Sequence, residues 1–182
     1  SEEFFESVMA KYDFEKPWLL AYRDVARSTD ERSVIALAIP REPASIKLPV
    51  LGWNQAMPGH LLLANLNSLP FDYIARQKLG GISLSFFILK QLPVIPPKEY
   101  SESVTSFLSR RVLELTYTNP SMASFARVLG YDGPPFVFDE DRRAQLRAEL
   151  DAWYARAYGL TRDELRYILD PADLRGADYP SE

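Results

Sequence analysis

Two apolar runs of strand length, residues 18–22 (WLLAY) and 34–39 (VIALAI), flank a polar stretch, residues 23–33, that carries three arginines. Runs this short and this apolar read as buried strands rather than helices. Pro17 precedes the first and Pro40 stops the second, and the three prolines within residues 40–49 mark a loop. The chain is therefore bound to place an arginine-rich connection beside two buried strands.

From Pro58 the period changes. GHLLLANLNS holds helix formers, with Leu62, Leu63 and Leu66 on one stripe. Ser68 is an N-cap type and Pro70 suits a first helical turn, so PFDYIARQKL is a second helix, closed by Gly80-Gly81. Residues 82–89 (ISLSFFIL) are aromatic and β-branched and predict a third strand, followed by a rigid extended LPVIPP. Residues 100–116 place Val104, Phe107, Leu108, Val112 and Leu115 at helical spacing, and residues 121–129 form a short helix before Gly130. Asp139 caps a longer helix with the stripe Leu146, Leu150, Trp153, Tyr154 and Ala157, ended by Gly159. Thr161 and Glu164 form a capping box for a last helix, with Leu165 and Ile168 inward. Residues 2–12 add a short N-terminal helix, and the last ten residues read as a polar, frayed end. The expected fold class is α/β (α+β), a small mixed sheet with flanking helices followed by a C-terminal helical segment. The expected division is a core over residues 1–98 and a helical part over residues 99–182 packed on it.

Composition excludes several chemistries. None of the 182 residues is a cysteine, so there is no disulfide, thiol nucleophile or zinc-thiolate site. His60 is the single histidine, which rules out a His-rich metal site and leaves a hydrolase one candidate base, with no Gly-x-Ser-x-Gly turn to serve it. No apolar run approaches the roughly 20 residues a membrane helix needs, and the acidic start, SEEFFESVM, is not a targeting peptide. The expectation is a soluble, cytoplasmic protein without membrane contact. Its opening at Ser1 rather than Met fits a fragment of a longer chain.

Charge is unevenly distributed. Residues 19–98 hold nine Lys and Arg against five acids, a net +4, while residues 99–182 hold ten Arg against fifteen acids, a net −5. A cationic front beside an anionic tail points to a polyanionic partner for the front. The competing reading is an unevenly charged solvated surface.

Arg23, Arg27 and Arg32 recur at spacings of four and five beside Ser28, Thr29 and Ser33. Guanidinium forks and hydroxyls are the usual donors to phosphates and base edges. Asp24, Asp30 and Glu31 either orient these arginines or pair with them at the surface. Arg76 and Lys78 stand before the Gly80-Gly81 turn, where backbone can approach a phosphate, and Lys90 ends the expected third strand. Asn119-Pro120-Ser121 lacks the second proline and the aromatic of an amine-methylating site and reads as turn-and-cap chemistry. There is no glycine-rich loop for a nucleotide-like cofactor.

The order of these segments resembles the C-terminal target-recognition region of large bacterial N6-adenine DNA methyltransferases. These are the type IIG kind and its relatives in restriction-modification and phage defence. The matching residues are RDVARSTDERS leading into VIALAIP, then LNSLPFDYIARQKLGG, then QLPVIPP, then the FARVLGYDGPP…LRYILD tail, over about residues 17–170. The resemblance implies a fold similar to the specificity domain of Taq-type methyltransferases and to half of a type I specificity subunit. It implies that this region reads double-stranded DNA through Arg23, Arg27, Thr29, Arg32, Arg76, Lys78, Gly80, Gly81 and Lys90. A separate domain of the same parent chain would then transfer the methyl group from S-adenosylmethionine, with no cofactor and no catalytic residue in the region itself. Two alternatives stand beside it, a protein-interaction domain without DNA and a small hydrolase using His60.

Overall fold

The structure, a computed structural model, describes residues 2–11, 14–27, 30–53 and 56–170. Thr29 and the expected frayed end, residues 173–182, lie outside the described residues.

The chain opens with helix α1 (Glu2–Lys11) and then forms strands β1 (Trp18–Tyr22), β2 (Ala36–Pro40) and β3 (Val50–Leu51). β1 is the middle strand, antiparallel to both neighbours, in the order β2-β1-β3. All five of its side chains are buried, which explains why WLLAY shows no polar alternation. The expected mixed sheet is thus wholly antiparallel, and its third strand is a two-residue piece just after the proline-rich loop over residues 40–49, a stretch the sequence does not mark as strand.

Helices α2 (Gly59–Leu66) and α3 (Leu69–Lys78) follow as the periodicity predicts. Glycine is needed at position 59, where a Cβ would run into the indoles of Trp53 and Trp18. The strand expected over residues 82–89 does not form. Ser83 makes one antiparallel bridge to Val25, and Phe86–Leu89 is a helical turn, α4. The pairing stops at that bridge, because the chain turns to carry Leu89 into the core. Ser85 turns it instead, its hydroxyl accepting from Ile88 N at 3.3 Å.

The remaining helices are α5 (Glu102–Thr116), α6 (Ala123–Val128), α7 (Glu140–Ala157) and α8 (Arg162–Leu169), with one-turn 3-10 helices at Pro97–Glu99 and Pro120–Met122. Asp139 caps α7 through Arg142 N at 2.8 Å, and Thr161 and Glu164 close the expected capping box on α8. Gly130 and Gly159 adopt φ of +75° and +77°, the left-handed stops that a side chain disfavours. Leu165 and Ile168 are half-buried, so α8 lies on the surface of the fold.

One apolar cluster runs from Trp18, Leu20 and Tyr22 through Leu61 and Phe71 to Phe125, Leu150 and Tyr154. Burying a side chain of this size contributes about 1.5–3 kcal/mol. Polar clasps lock α2 to α7 and to the segment at Ile95. Tyr154 OH donates to Leu61 O at 3.0 Å, and Asn65 donates to Tyr158 OH at 2.7 Å while accepting from Ile95 N at 2.8 Å. No helix among the described residues is long and apolar enough to cross a membrane.

Candidate nucleic-acid interface

The arginines singled out by the sequence divide into two groups. Arg23 pairs with Asp30 at 2.7 Å and donates to the Arg32 carbonyl at 3.2 Å. Arg32 reaches across to α7 and pairs with Asp151 at 2.9 Å. Arg76 pairs with Asp72 at 2.9 Å, one helical turn back, and donates to the carbonyls of Asp30 and Glu31 at 2.5 and 2.6 Å. Arg32 and Arg76 therefore bind the polar connection to the helices, and Arg23 closes the connection on itself.

Asp72 is the anchor of that arrangement. It is 1% exposed, and its second oxygen accepts from Val34 N at 2.7 Å. Asn67 continues the clasp, accepting from Ala36 N and donating to Ala36 O, both at 3.0 Å. Together Asp72 and Asn67 satisfy backbone groups on the outer edge of β2 that would otherwise stand open. Asp151 accepts from Leu69 N at 2.6 Å and so caps α3 from another helix. Ser68 holds the N-cap position, but its hydroxyl donates to Asn65 O at 2.7 Å instead. Burial pushes the Asp151 carboxyl up, against the downward pull of Arg32.

A groove of about 970 Å³ runs beside this seam. Its lining mixes Arg23, Arg32, Arg143 and Arg147 with Asp30 and Asp151, so it presents no single charge sign.

The second group lies at another corner. Ala26 N donates to Ile82 O at 3.1 Å and Leu84 N donates to Asp24 O at 2.7 Å, which lays residues 24–26 alongside residues 82–84. Arg27 leaves this ladder exposed. Asp30 and Ser33 hold its backbone, and no partner for its guanidinium occurs among the described residues. Lys78 is exposed at the end of α3, two residues before Gly80. Gly80 and Gly81 are exposed, and a Cβ at either meets nothing within 4 Å. The helix ends at Leu79, and neither glycine takes a positive φ. Lys90 stands over the Phe86 ring at 4.4 Å.

Around these cations the corner is apolar. Ile82, Phe86 and Phe87 are 66%, 48% and 76% exposed. The carboxylate brought here is Asp24, which accepts from Ser83 Oγ at 2.5 Å and pairs with Lys47 at 3.4 Å. The Ser83 hydroxyl, and then Lys47, hold its carboxyl below the usual range. Lys47, Ile82, Phe86 and Phe87 were not foreseen as site residues. A signal for Ile82, Phe86 and Phe87 exists in the sequence, since residues 73–98 contain no Asp or Glu, but none marks Lys47.

His60 is no catalytic base. Its Nε2 lies 2.8 Å from Ser109 Oγ, but that hydroxyl donates to the Thr105 carbonyl at 2.6 Å, so the imidazole N–H is the donor to Ser109. Burial lowers its pKa to about 4. Asn119 accepts from Ser121 N at 3.0 Å, an ordinary turn. Among the described residues there is no cluster of three or more acids and histidines able to hold a metal ion. No family model, no curated protein and no solved structure matches the chain.

Proposed function

We propose that this chain is a DNA target-recognition module of an adenine-N6 methyltransferase of a restriction-modification or phage-defence system. Its fold would be of the Taq-type or type I specificity-subunit kind. A separate catalytic domain of the same parent chain carries the S-adenosylmethionine chemistry. The module holds duplex DNA and reads it. The observation that carries the reading is a corner built on the acid-free segment 73–98. Arg27, Lys78 and Lys90 are exposed on the segments that carry or adjoin the open glycine pair and residues 82–87, and the Asp24 carboxylate there is paired with Lys47. Such a face attracts phosphates.

Of the nine residues expected to contact DNA, five belong to this corner: Arg27, Lys78, Gly80, Gly81 and Lys90. Arg23, Arg32 and Arg76 act in this reading as struts that hold the Arg27 turn in place. The acidic C-terminal helices face away from DNA.

Titration of the chain with a random-sequence duplex pool tests this. Binding at about 50 mM salt that falls steeply by about 200 mM is expected, as counterions leave the phosphates. The double variant Lys78→Ala/Lys90→Ala reduces it on every sequence. Absence of any salt-dependent binding overturns the reading and favours a protein-interaction domain, for which the exposed Ile82, Phe86 and Phe87 would be the contact.

A further inference from the structure

We infer that the apolar tip formed by Ile82 and Phe87 is a wedge that enters duplex DNA at a base step and unstacks it. The inference rests on the DNA-binding reading above.

The tip is exposed yet firmly mounted. Leu84 and Leu89, on either side of Phe86 and Phe87, are buried in the core. The Ser85 cap fixes the entry to α4, and Gln91 Nε2 donates to Phe87 O at 3.1 Å at its exit. The bonds to Asp24 and Ala26 tie the preceding loop to the arginine-rich connection. A rigidly held, three-quarters-exposed phenyl ring has no packing role in this chain. It costs the folded protein water contact with a large apolar surface.

Charge selects the occupant. A base step is an apolar slot flanked on both sides by phosphates. The tip has the complementary arrangement, an apolar point with Lys90 on the Phe86 ring and Arg27 and Lys78 on the adjoining segments. Residues 73–98, which supply the tip, carry no acid, and the carboxylate that lies beside them, Asp24, is paired with Lys47 and bonded to Ser83. Apolar side chains flanked by cations are the means by which proteins part stacked base pairs. Methylating an adenine amine requires the base outside the stack, so a wedge next to the reading face has a use in that chemistry.

The test compares the chain with its Phe87→Ala and Phe87→Leu variants on two duplexes, one intact and one with an abasic gap at its centre. A 2-aminopurine reporter placed along the intact duplex reads unstacking. The wild-type chain is expected to raise reporter fluorescence at one position. Phe87→Ala is expected to abolish that rise and to weaken intact-duplex binding about tenfold. Its binding to the gapped duplex should change far less, because the step there is already open. Phe87→Leu is expected to keep part of both effects. Circular dichroism should show all three chains equally folded, since the side chain is exposed. If the wild-type chain binds DNA with no fluorescence rise anywhere, the wedge is wrong and the DNA reading stands. If Phe87→Ala weakens both duplexes equally, the residue is a contact without unstacking, and the wedge is again overturned. If no chain binds either duplex, the underlying DNA reading fails.

Discussion

The seam between sheet and helices and the corner at residues 82–90 use similar residue types for opposite ends. In the seam, Arg23, Arg32 and Arg76 direct their charged donors at Asp30, Asp151, Asp72 and backbone carbonyls. At the corner, Arg27, Lys78 and Lys90 keep their charged ends in solvent or over an aromatic ring. Arg27 and Arg32 belong to the same connection, five residues apart, and differ only in what the fold brings against them. Residue type and local spacing therefore do not separate a strut from a ligand contact. What separates them is whether the fold brings a carboxylate against the side chain, from the same connection for Arg23, from the same helix for Arg76 and from α7 for Arg32.

The largest effect is expected from breaking the seam at Asp72. Asp72→Ala leaves Val34 N without its acceptor and the Arg76 guanidinium without its carboxylate, inside a nearly buried site. Removing one partner of a buried pair costs about 3–5 kcal/mol. Urea denaturation should show a loss of that size with an unchanged slope. A loss below about 1 kcal/mol would mean that the seam does not hold the connection, and the contrast between the two regions would disappear.

Acid should act on the same side of the comparison. His60 sits between α2 and α5 and stays neutral in the fold down to about pH 4, whereas an unfolded histidine protonates near 6.5. Between those values the unfolded chain binds more protons, so stability falls as pH drops through that window and levels off below it. The shift corresponds to about 3 kcal/mol. His60→Gln should flatten the curve between pH 6.5 and 4, read by denaturant midpoints across that range. An unflattened curve would assign the acid sensitivity to carboxylates instead.

The legibility of the fold follows the same division between local and distant causes. Periodicity over residues 100–116 and 139–157, the Thr161 and Glu164 box, and the stops at Gly130 and Gly159 are local signals, and helices form where they predict. WLLAY is a fully buried strand, whereas β2 starts two residues into VIALAI, runs through Pro40 and is mostly half-buried. The strand expected over ISLSFFIL is cut to a single bridge, Val25 to Ser83, and the chain then turns into Phe86–Leu89, whose Leu89 enters the core. Only tertiary placement decides that. Ser68 was legible as the N-cap position of α3, but the side chain that caps the helix, Asp151, lies 82 residues away. The site was legible in the same measure. Lys78, the glycine pair and Lys90 follow from sequence position, whereas the removal of Arg32 by Asp151 does not.

The smallest effects sharpen the comparison most, because they pit two arginines of one connection against each other. Arg32→Ala removes the pair with Asp151, which is partly screened by solvent, so it should lower stability by about 1 kcal/mol. It should leave the ratio of binding to preferred and unrelated DNA unchanged. Arg27→Ala should do the reverse. Stability should stay within about 0.5 kcal/mol, because the side chain is exposed. The duplex selected as tightest from a random pool should lose about 1–3 kcal/mol if the contact is bidentate to a base. Lys78→Ala is the control, weakening every sequence alike and reducing the salt slope by about one. All three are measured at one fixed salt concentration, with denaturation run in parallel. If Arg27→Ala weakens all duplexes equally, Arg27 contacts phosphate and reads nothing. If Arg32→Ala is the variant that loses discrimination, the Asp151 pair opens on DNA, and the seam and the corner are one binding surface rather than a frame and its contact face.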